Sequence, residues 1–264
     1  MLWEALKTVT RMKHSRISSQ IELLYGLQPV CSALRQRKRK FSELFIKRGK
    51  NNSRLISDIL ELAEEIGITV NEVQGNKLTE MCPNAVHQGV VLRCGILPFS
   101  PISVLPPNVE GKLPLMVVLD QIEDPQNLGA VLRTCGFFDV IAVVVSKDHS
   151  CGLTPVVSKS SSGVAEWLTV ISVTNITRFL QKQKSEGYWI VGLAEKSNQS
   201  ISQLLRDKPL ILVIGNEGRG IRPLIRKQCD WLVSITGNPE VSSLNVSNAA
   251  AIALNHFYVL PEST

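Results

Sequence analysis

The sequence predicts an α/β protein of two domains: a small mixed α+β domain, then a larger one built on a mostly parallel sheet. Near-continuous apolar runs recur through residues 115–264, with helically spaced segments between them. Ahead of them, residues 21–95 hold a shorter mixture of helix and strand signals. Between the two, residues 96–114 (ILPFSPISVLPPNVEGKLP) carry Pro98, Pro101, Pro106, Pro107 and Pro114, five of the chain's thirteen prolines. Such a run excludes helix and central strand and predicts a stiff, extended linker.

In the first domain, the spacing predicts a helix over 30–39, a strand over FSELFI at 41–46 and a helix over 54–66 closed by Gly67. Short apolar runs predict strands at 68–73 and 90–94. In the second domain, strands are predicted at 115–120, 141–145, 188–194, 210–215 and 231–235. Helices are predicted near 127–138, 154–162, 174–186, 221–229 and 244–259. Strands apolar on both faces need cover on both, which is the pattern of a parallel sheet between helical layers.

The net charge of +6 is unevenly placed. Residues 1–113 hold 16 Lys and Arg against 10 Asp and Glu, whereas 114–264 hold 13 of each. Arg35, Arg37, Lys38, Arg39 and Lys40 open a basic block that continues through Lys47, Arg48, Lys50 and Arg54, with Glu43 its only acid before Asp58. A basic block attached to a neutral half suggests a polyanion held by one part and worked on by the other, and nucleic acid is the partner expected for 35–40. The six cysteines are scattered, without a Cys-x-x-Cys pair, so neither a structural metal nor a disulfide framework is expected. No apolar stretch approaches the roughly 18 residues of a membrane-spanning helix, and no membrane partner is expected. Residues 1–20 place Lys7, Arg11, Lys13 and Arg16 around Leu2, Trp3, Leu6, Val9 and Met12, with Glu4 the single acid. That pattern resembles a mitochondrial transit peptide more than a secretory signal.

Three polar segments follow predicted strand ends, where ligands collect in open α/β sheets. In LDQIEDPQNLGAVLRT (119–134), Asn127 is placed to cap the next helix, Gly129 and Ala130 keep its first turn thin, and Arg133 lies in the second turn. LILVIGNEGRGI (210–221) sets three glycines around Asn216 and Glu217; it is neither a phosphate loop ending in Lys-Ser/Thr nor a Gly-x-Gly-x-x-Gly turn. In ITGNPEVSSLNVSNAAAIAL (235–254), Ser242, Ser243 and Asn245 are placed to start a helix rich in alanine.

In this order, the segments resemble the SpoU/TrmH family of RNA ribose 2′-O-methyltransferases. Asn127, Gly129, Ala130 and Arg133 match its first motif, residues 215–221 its Gly-Asn-Glu-Gly-x-Gly-Ile, and 243–247 its Ser-Leu-Asn-Val-Ser. TPVVSKSSSGVAE at 154–166 resembles a further family stretch. YGLQPVCSALRQRKRKFSELFI (25–46) and VHQGVV (86–91) resemble the family's substrate-binding domain, which is like ribosomal protein L30e. Within the family, the likeness is to enzymes of large-subunit rRNA guanosines, bacterial and mitochondrial. Two positions depart from the pattern: Thr236-Gly237-Asn238 stand where Pro-Met-x is frequent, and Asn248 where an apolar residue is usual.

The resemblance implies a transit peptide at 1–20, an RNA substrate-binding domain at 21–95, a linker at 96–114 and a methyltransferase domain at 115–264. It implies a C-terminal trefoil knot, which nothing in the periodicity reveals, and a mitochondrial homodimer acting on large-subunit rRNA. The cofactor implied is S-adenosyl-L-methionine, cradled by Ile214, Gly215, Asn216, Gly218, Ile235, Ser243, Leu244 and Asn245. Arg133 matches the family's catalytic arginine, Asn127 would hold the loop or substrate beside it, and Glu217 would organise the site. The alternatives are a catalytically silent RNA-binding ribosome assembly factor, a tRNA ribose methyltransferase, and a small-molecule α/β enzyme with a basic appendage.

Overall fold

The computed structural model describes residues 21–49, 53–106, 113–238, 240–241 and 243–258; the expected transit peptide, Lys50, Pro239 and Ser242 lie outside them. The chain divides into two units, Met1–Leu97 and Pro98–Thr264.

In the first unit, strands β1 (Ile21–Tyr25), β2 (Phe41–Lys47), β3 (Thr69–Val73) and β4 (Val90–Gly95) form a sheet in the order β1-β4-β2-β3. β4 runs antiparallel to β1 and β2, while β2 and β3 are parallel. Helices α1 (Leu27–Gln36) and α2 (Arg54–Ile66) cover one face, burying Val30, Leu34, Ile59 and Ala63 against Leu24, Leu44 and Leu92. Full burial of one such aliphatic side chain contributes about 1.5–3 kcal/mol. α2 starts where the Ser53 hydroxyl accepts from the Ile56 N–H and stops at Gly67, whose φ of 75° favours glycine. α1 begins earlier than the spacing predicts, because Gly26 (φ 96°) turns the chain straight out of β1 and Pro29 is tolerated in a first turn. It ends at Gln36, where Arg37 takes a left-handed backbone (φ 52°). The edge strand β1 and the short helix α3 (Gly75–Met81), which buries only Leu78, escape the periodicity.

The second unit carries six parallel strands: β5 (Leu115–Asp120), β6 (Ala142–Ser146), β7 (Val170–Val173), β8 (Trp189–Leu193), β9 (Leu210–Gly215) and β10 (Trp231–Val233). Their order is β10-β8-β9-β5-β6-β7. Every residue of β5, β6 and β9 is buried, as expected for strands covered on both faces. Helices α6 (Ile176–Ser185) and α7 (Pro223–Arg226) cover one face, with Phe179, Leu180 and Ile225 on Met116, Val118, Ile190 and Val213. The opposite face is covered by α4 (Pro125–Phe137) and α8 (Val246–Phe257), which pack on each other. α5 (Pro155–Ser160) lies against α4.

Three features go beyond the sequence reading. The strand β7, only four residues of VISV, has too short an apolar run to stand out. The helix expected over 221–229 shrinks to four residues, since Arg222 is held at the end of β5 and Pro223 opens the turn. The thin first turn of α4 is filled by protein: a Cβ on Gly129 would sit 1.8 Å from the Ser160 hydroxyl and 2.8 Å from the Val157 carbonyl oxygen. The close approach at Gly129 is therefore α5, not a ligand. From the proline segment, Ser100 pairs alongside Ile171 of β7.

Candidate active site

The chain leaves β5 toward β6 and β7 on one side, then crosses to β8 on the other before returning through β9. β5 and β9 are thus the neighbours at which the winding reverses, and Asp120 pairs with Gly215 at their carboxyl ends. A crevice beyond such ends is where an open α/β sheet receives a ligand. All three polar motifs converge there.

Glu217 is the meeting point. Its Oε1 accepts from Asn127 Nδ2 at 3.1 Å, Asn245 Nδ2 at 2.7 Å and the Val246 backbone N–H at 3.1 Å. Asn245 Nδ2 also donates to Asn127 Oδ1 at 2.9 Å, closing the triangle. The Asn245 Oδ1 in turn accepts from the Ser247 N–H at 2.9 Å and the Ser247 hydroxyl at 2.6 Å, capping α8. A cap of this kind contributes about 1 kcal/mol, and the Glu217 carboxylate beside it faces the positive end of the α8 dipole.

Asn127 does not cap α4. Asp124 does, accepting from the Gln126 and Asn127 N–H groups at 3.0 and 3.3 Å, with Pro125 in the first helical position. An aspartate directly before a proline meets both N-terminal preferences, which leaves the Asn127 side chain free to reach Glu217. Arg133 is exposed on the next turns of α4 and has no ion-pair or hydrogen-bond partner among the described residues. A planar guanidinium suits an anionic group of a substrate.

The 215–221 loop is folded on itself. The Gly220 N–H donates to the Asn216 carbonyl at 2.8 Å, the Gly218 N–H to Asn216 Oδ1 at 2.9 Å, and Asn216 Nδ2 to the Gln121 carbonyl at 2.9 Å. A Cβ on Gly215 would lie 2.2 Å from the Gly220 carbonyl carbon, so this glycine is required by the loop's own backbone. Of the three glycines only Gly220 has positive φ (64°). Two residues missed in the sequence secure the loop. Asp120 is 0% exposed and accepts from Arg222 three times: from its N–H at 3.0 Å, Nε at 2.8 Å and a terminal nitrogen at 2.7 Å. The available signal was an acid ending an otherwise wholly apolar strand.

Residues expected at the cofactor fall into two groups. Ile214 and Gly215 are buried in the last turn of β9. Asn216, Gly218, Ser243, Leu244 and Asn245 are at least partly open to solvent, and Leu244 presents an apolar side chain 44% exposed, with Ile235 half-buried after β10. Among the described residues the neighbourhood offers apolar side chains and backbone polar groups; of the loop's two arginines, Arg222 is paired to Asp120 and Arg219 is exposed. Apolar side chains with backbone polar groups suit a nucleoside with an amino-acid group, and the loop lacks the Lys-Ser/Thr of a phosphate loop.

In the first unit, the residues expected at RNA behave differently. Arg35 pairs with Asp58 at 2.7 Å and Arg37 with Glu65 at 2.9 Å. Arg39 is a correction: its side chain is 1% exposed, and it donates to Glu22 at 3.0 Å and the Gly95 carbonyl at 3.2 Å. The residue lies two positions before β2, and its side chain folds over Cys94 and Gly95 of β4 instead of facing solvent. Lys38 and Lys40 are exposed.

Known proteins match both units. Residues 114–255 match the SpoU rRNA methylase family, and residues 23–99 match the RNA 2′-O ribose methyltransferase substrate-binding domain. The chain is 37% identical over 248 residues to the 23S rRNA (guanosine-2′-O-)-methyltransferase RlmB of Pseudomonas putida, covering 89% of this chain and 95% of that protein. It is also 37% identical over 253 residues to the RlmB of Pseudomonas aeruginosa, covering 93% and 98%. The fold resembles an AdoMet-bound rRNA methyltransferase of Sinorhizobium meliloti, with a TM-score of 0.75 at 21% identity over 92% of this chain and 89% of that one. With the three motifs assembled on one side chain, Glu217, and both units matched, this chain belongs to the SpoU rRNA methylase family.

Proposed function

We propose that this methyltransferase transfers a methyl group from S-adenosyl-L-methionine to the ribose 2′-hydroxyl of a guanosine in mitochondrial large-subunit rRNA. The observation that carries this is the Asn127–Glu217–Asn245 triangle, with Arg133, exposed and unpaired among the described residues, on the same helix as Asn127. The guanosine follows the RlmB relatives, whose names specify that nucleoside in 23S rRNA. The mitochondrial address rests on the basic, amphipathic residues 1–20.

Ile214, Gly215, Asn216, Gly218, Ile235, Ser243, Leu244 and Asn245 would hold the cofactor, which when bound supplies an electrophilic methyl on a sulfonium. The chain's task is placement, because an in-line displacement gains most from orientation of its reactants. The Glu217 triangle fixes the start of α8 against the start of α4, so the cofactor strands and the helix bearing Arg133 share one frame. Arg133 holds an RNA phosphate and orients the 2′-hydroxyl next to it. A guanidinium is a poor proton acceptor, so Arg133 is not the base; the hydroxyl proton leaves through the phosphate that Arg133 binds.

The enzyme works as a homodimer in this reading. Support comes from Phe137 on α4, 80% exposed and one turn beyond Arg133, and from Ile252 on α8, 43% exposed.

The deciding experiment maps 2′-O-methyl sites in mitochondrial large-subunit rRNA and in tRNA after depletion of the protein. One guanosine methyl should disappear from the rRNA and return with the wild-type chain but not with Arg133→Ala. Rescue by Arg133→Ala would establish the silent assembly factor instead, and a loss confined to tRNA would overturn the rRNA assignment.

A further inference from the structure

We infer that RNA engages the first unit not at residues 35–40 but at the opposite end of its sheet, on Lys47, Arg48 and Arg54. The inference rests on the RNA-methylating function proposed above and names the surface that meets the substrate.

The two ends of the first unit differ in how many of their charges are already paired. The face formed by α1 and α2 presents Arg35 and Arg37, but α2 sets Asp58, Glu61, Glu64 and Glu65 beside them. Two of those acids are ion-paired to the arginines, and the four acids balance the four exposed cations Arg35, Arg37, Lys38 and Lys40, so that face carries no positive surplus. Arg39 is buried on Glu22. A phosphate backbone laid across this face would meet carboxylates, and binding of RNA depends on cations that neutralise phosphates.

The other end is arranged differently. β1, β2 and β3 run in one direction, so their carboxyl ends, the start of β4 and the amino ends of α1 and α2 lie together. Lys47 ends β2, Arg48 follows it, and Arg54 opens α2; all three are exposed and unpaired among the described residues. The backbone there is tied down. The Lys47 N–H donates to the Gly89 carbonyl at 2.9 Å, the Arg48 N–H to the Val73 carbonyl at 2.9 Å, and the Gly26 N–H to the Val90 carbonyl at 3.4 Å. The Leu27 N–H donates to Gln88 Oε1 at 3.2 Å, which joins the 87–89 turn to the start of α1. Exposed Gln28 and Gln88 stand beside the cations, able to meet ribose or base edges. Both helices point their positive ends this way, and neither has an acid in its first turn. The carboxylates close by are Asp58, one turn along α2 from Arg54 and already paired to Arg35 at 2.7 Å, Glu80, which faces Lys77 at 3.5 Å, and Glu72 on the edge strand β3. Lys47 lies over Gly75, where a Cβ would meet its Cε at 3.2 Å.

The test uses the full chain and an unmodified large-subunit rRNA transcript, with affinity measured across a salt series. The triple variant Lys47→Ala, Arg48→Ala, Arg54→Ala should bind about tenfold more weakly or worse, with a log–log salt slope shallower by about two. The double variant Arg35→Ala, Arg37→Ala should stay within about twofold of wild type. An unchanged triple variant, or a double variant that alone loses RNA, overturns the surface while methyl transfer by the wild type upholds the proposed function. A wild-type chain that neither binds nor methylates RNA overturns both.

Discussion

Asn245 donates its side-chain amide to the Asn127 carbonyl oxygen at 2.9 Å, across 118 residues of sequence, and both asparagines donate to the same Glu217 oxygen. The arrangement uses Glu217 as an acceptor only. Replacing it with glutamine keeps a carbonyl oxygen able to accept from two amides and the Val246 N–H, although the charge is lost. Glu217→Gln should therefore retain methyl transfer within about tenfold, whereas Glu217→Ala should lose about a hundredfold or more, since misplaced groups are costly in a reaction governed by orientation. Single-turnover rates with saturating cofactor measure this directly. Equal losses in the two variants would mean that the carboxylate's charge, not its geometry, is what the site uses.

Arg133 offers a cleaner separation of stability from activity. It is exposed and unpaired among the described residues, so truncation removes no folding contact. Arg133→Ala should shift ΔG of unfolding by less than about 0.5 kcal/mol. The same change should abolish measurable turnover, and Arg133→Lys should recover little, because a single ammonium cannot hold a phosphate and orient a neighbouring hydroxyl as a planar fork does. Thermal melts alongside methyl-transfer assays separate these effects; a lysine variant with near wild-type turnover would exclude the bidentate role.

The partly buried thiols make a pH prediction. Burial pushes the Cys151 and Cys229 thiols up from 9.0 to about 11, and the Asp230 charge adds to the effect at Cys229. Both should alkylate slowly at pH 8 in the folded chain and quickly once it is unfolded. The sign for stability follows. The unfolded chain ionises its thiols near 9 and the folded chain only near 11, so each thiol's contribution is intact below 9 and lost as pH rises through that window. Alkylation rates read by mass spectrometry from pH 7 to 11 check both; rapid native-state labelling of Cys229 at pH 8 would contradict its burial.

The second unit was largely legible because its strands are apolar on both faces and its motif residues sit at strand ends. β5 and β9 fall on the residues the sequence marks, 115–120 and 210–215. What was not legible depends on contacts across the chain. Asn127 looks like a cap because it stands near a helix start, and only the backbone shows that Asp124 has taken that position. Gly129 marks a close approach by another backbone or a ligand, and only the fold shows that α5 makes it. The basic block reads as one feature, yet Arg35 and Arg37 meet acids of α2 while Lys47, Arg48 and Arg54 are unpaired among the described residues, since sequence proximity carries no information about which charges a neighbouring helix neutralises. β1 and α3 are short and half-exposed, with too few buried residues to set a period.

Asp120 and Arg222 carry the last prediction. The carboxylate is wholly buried, and its visible donors are the backbone N–H and guanidinium of Arg222, 102 residues away. Removing the guanidinium in Arg222→Ala leaves a buried charge with one remaining backbone donor, which should cost about 2–4 kcal/mol, toward the low end because Arg222 is partly open to water. The double variant Asp120→Asn, Arg222→Ala removes the charge as well and should cost less than Arg222→Ala alone, a sign expected only if the unpaired carboxylate causes the damage. Since the pair anchors the exit of the 215–221 loop, the variants that fold should bind S-adenosyl-L-methionine more weakly while the first unit's RNA affinity is unchanged. Urea unfolding, together with calorimetric titration of the cofactor, measures both. If the double variant is less stable than Arg222→Ala, the packing of the loop and not the buried charge is what Arg222 supports.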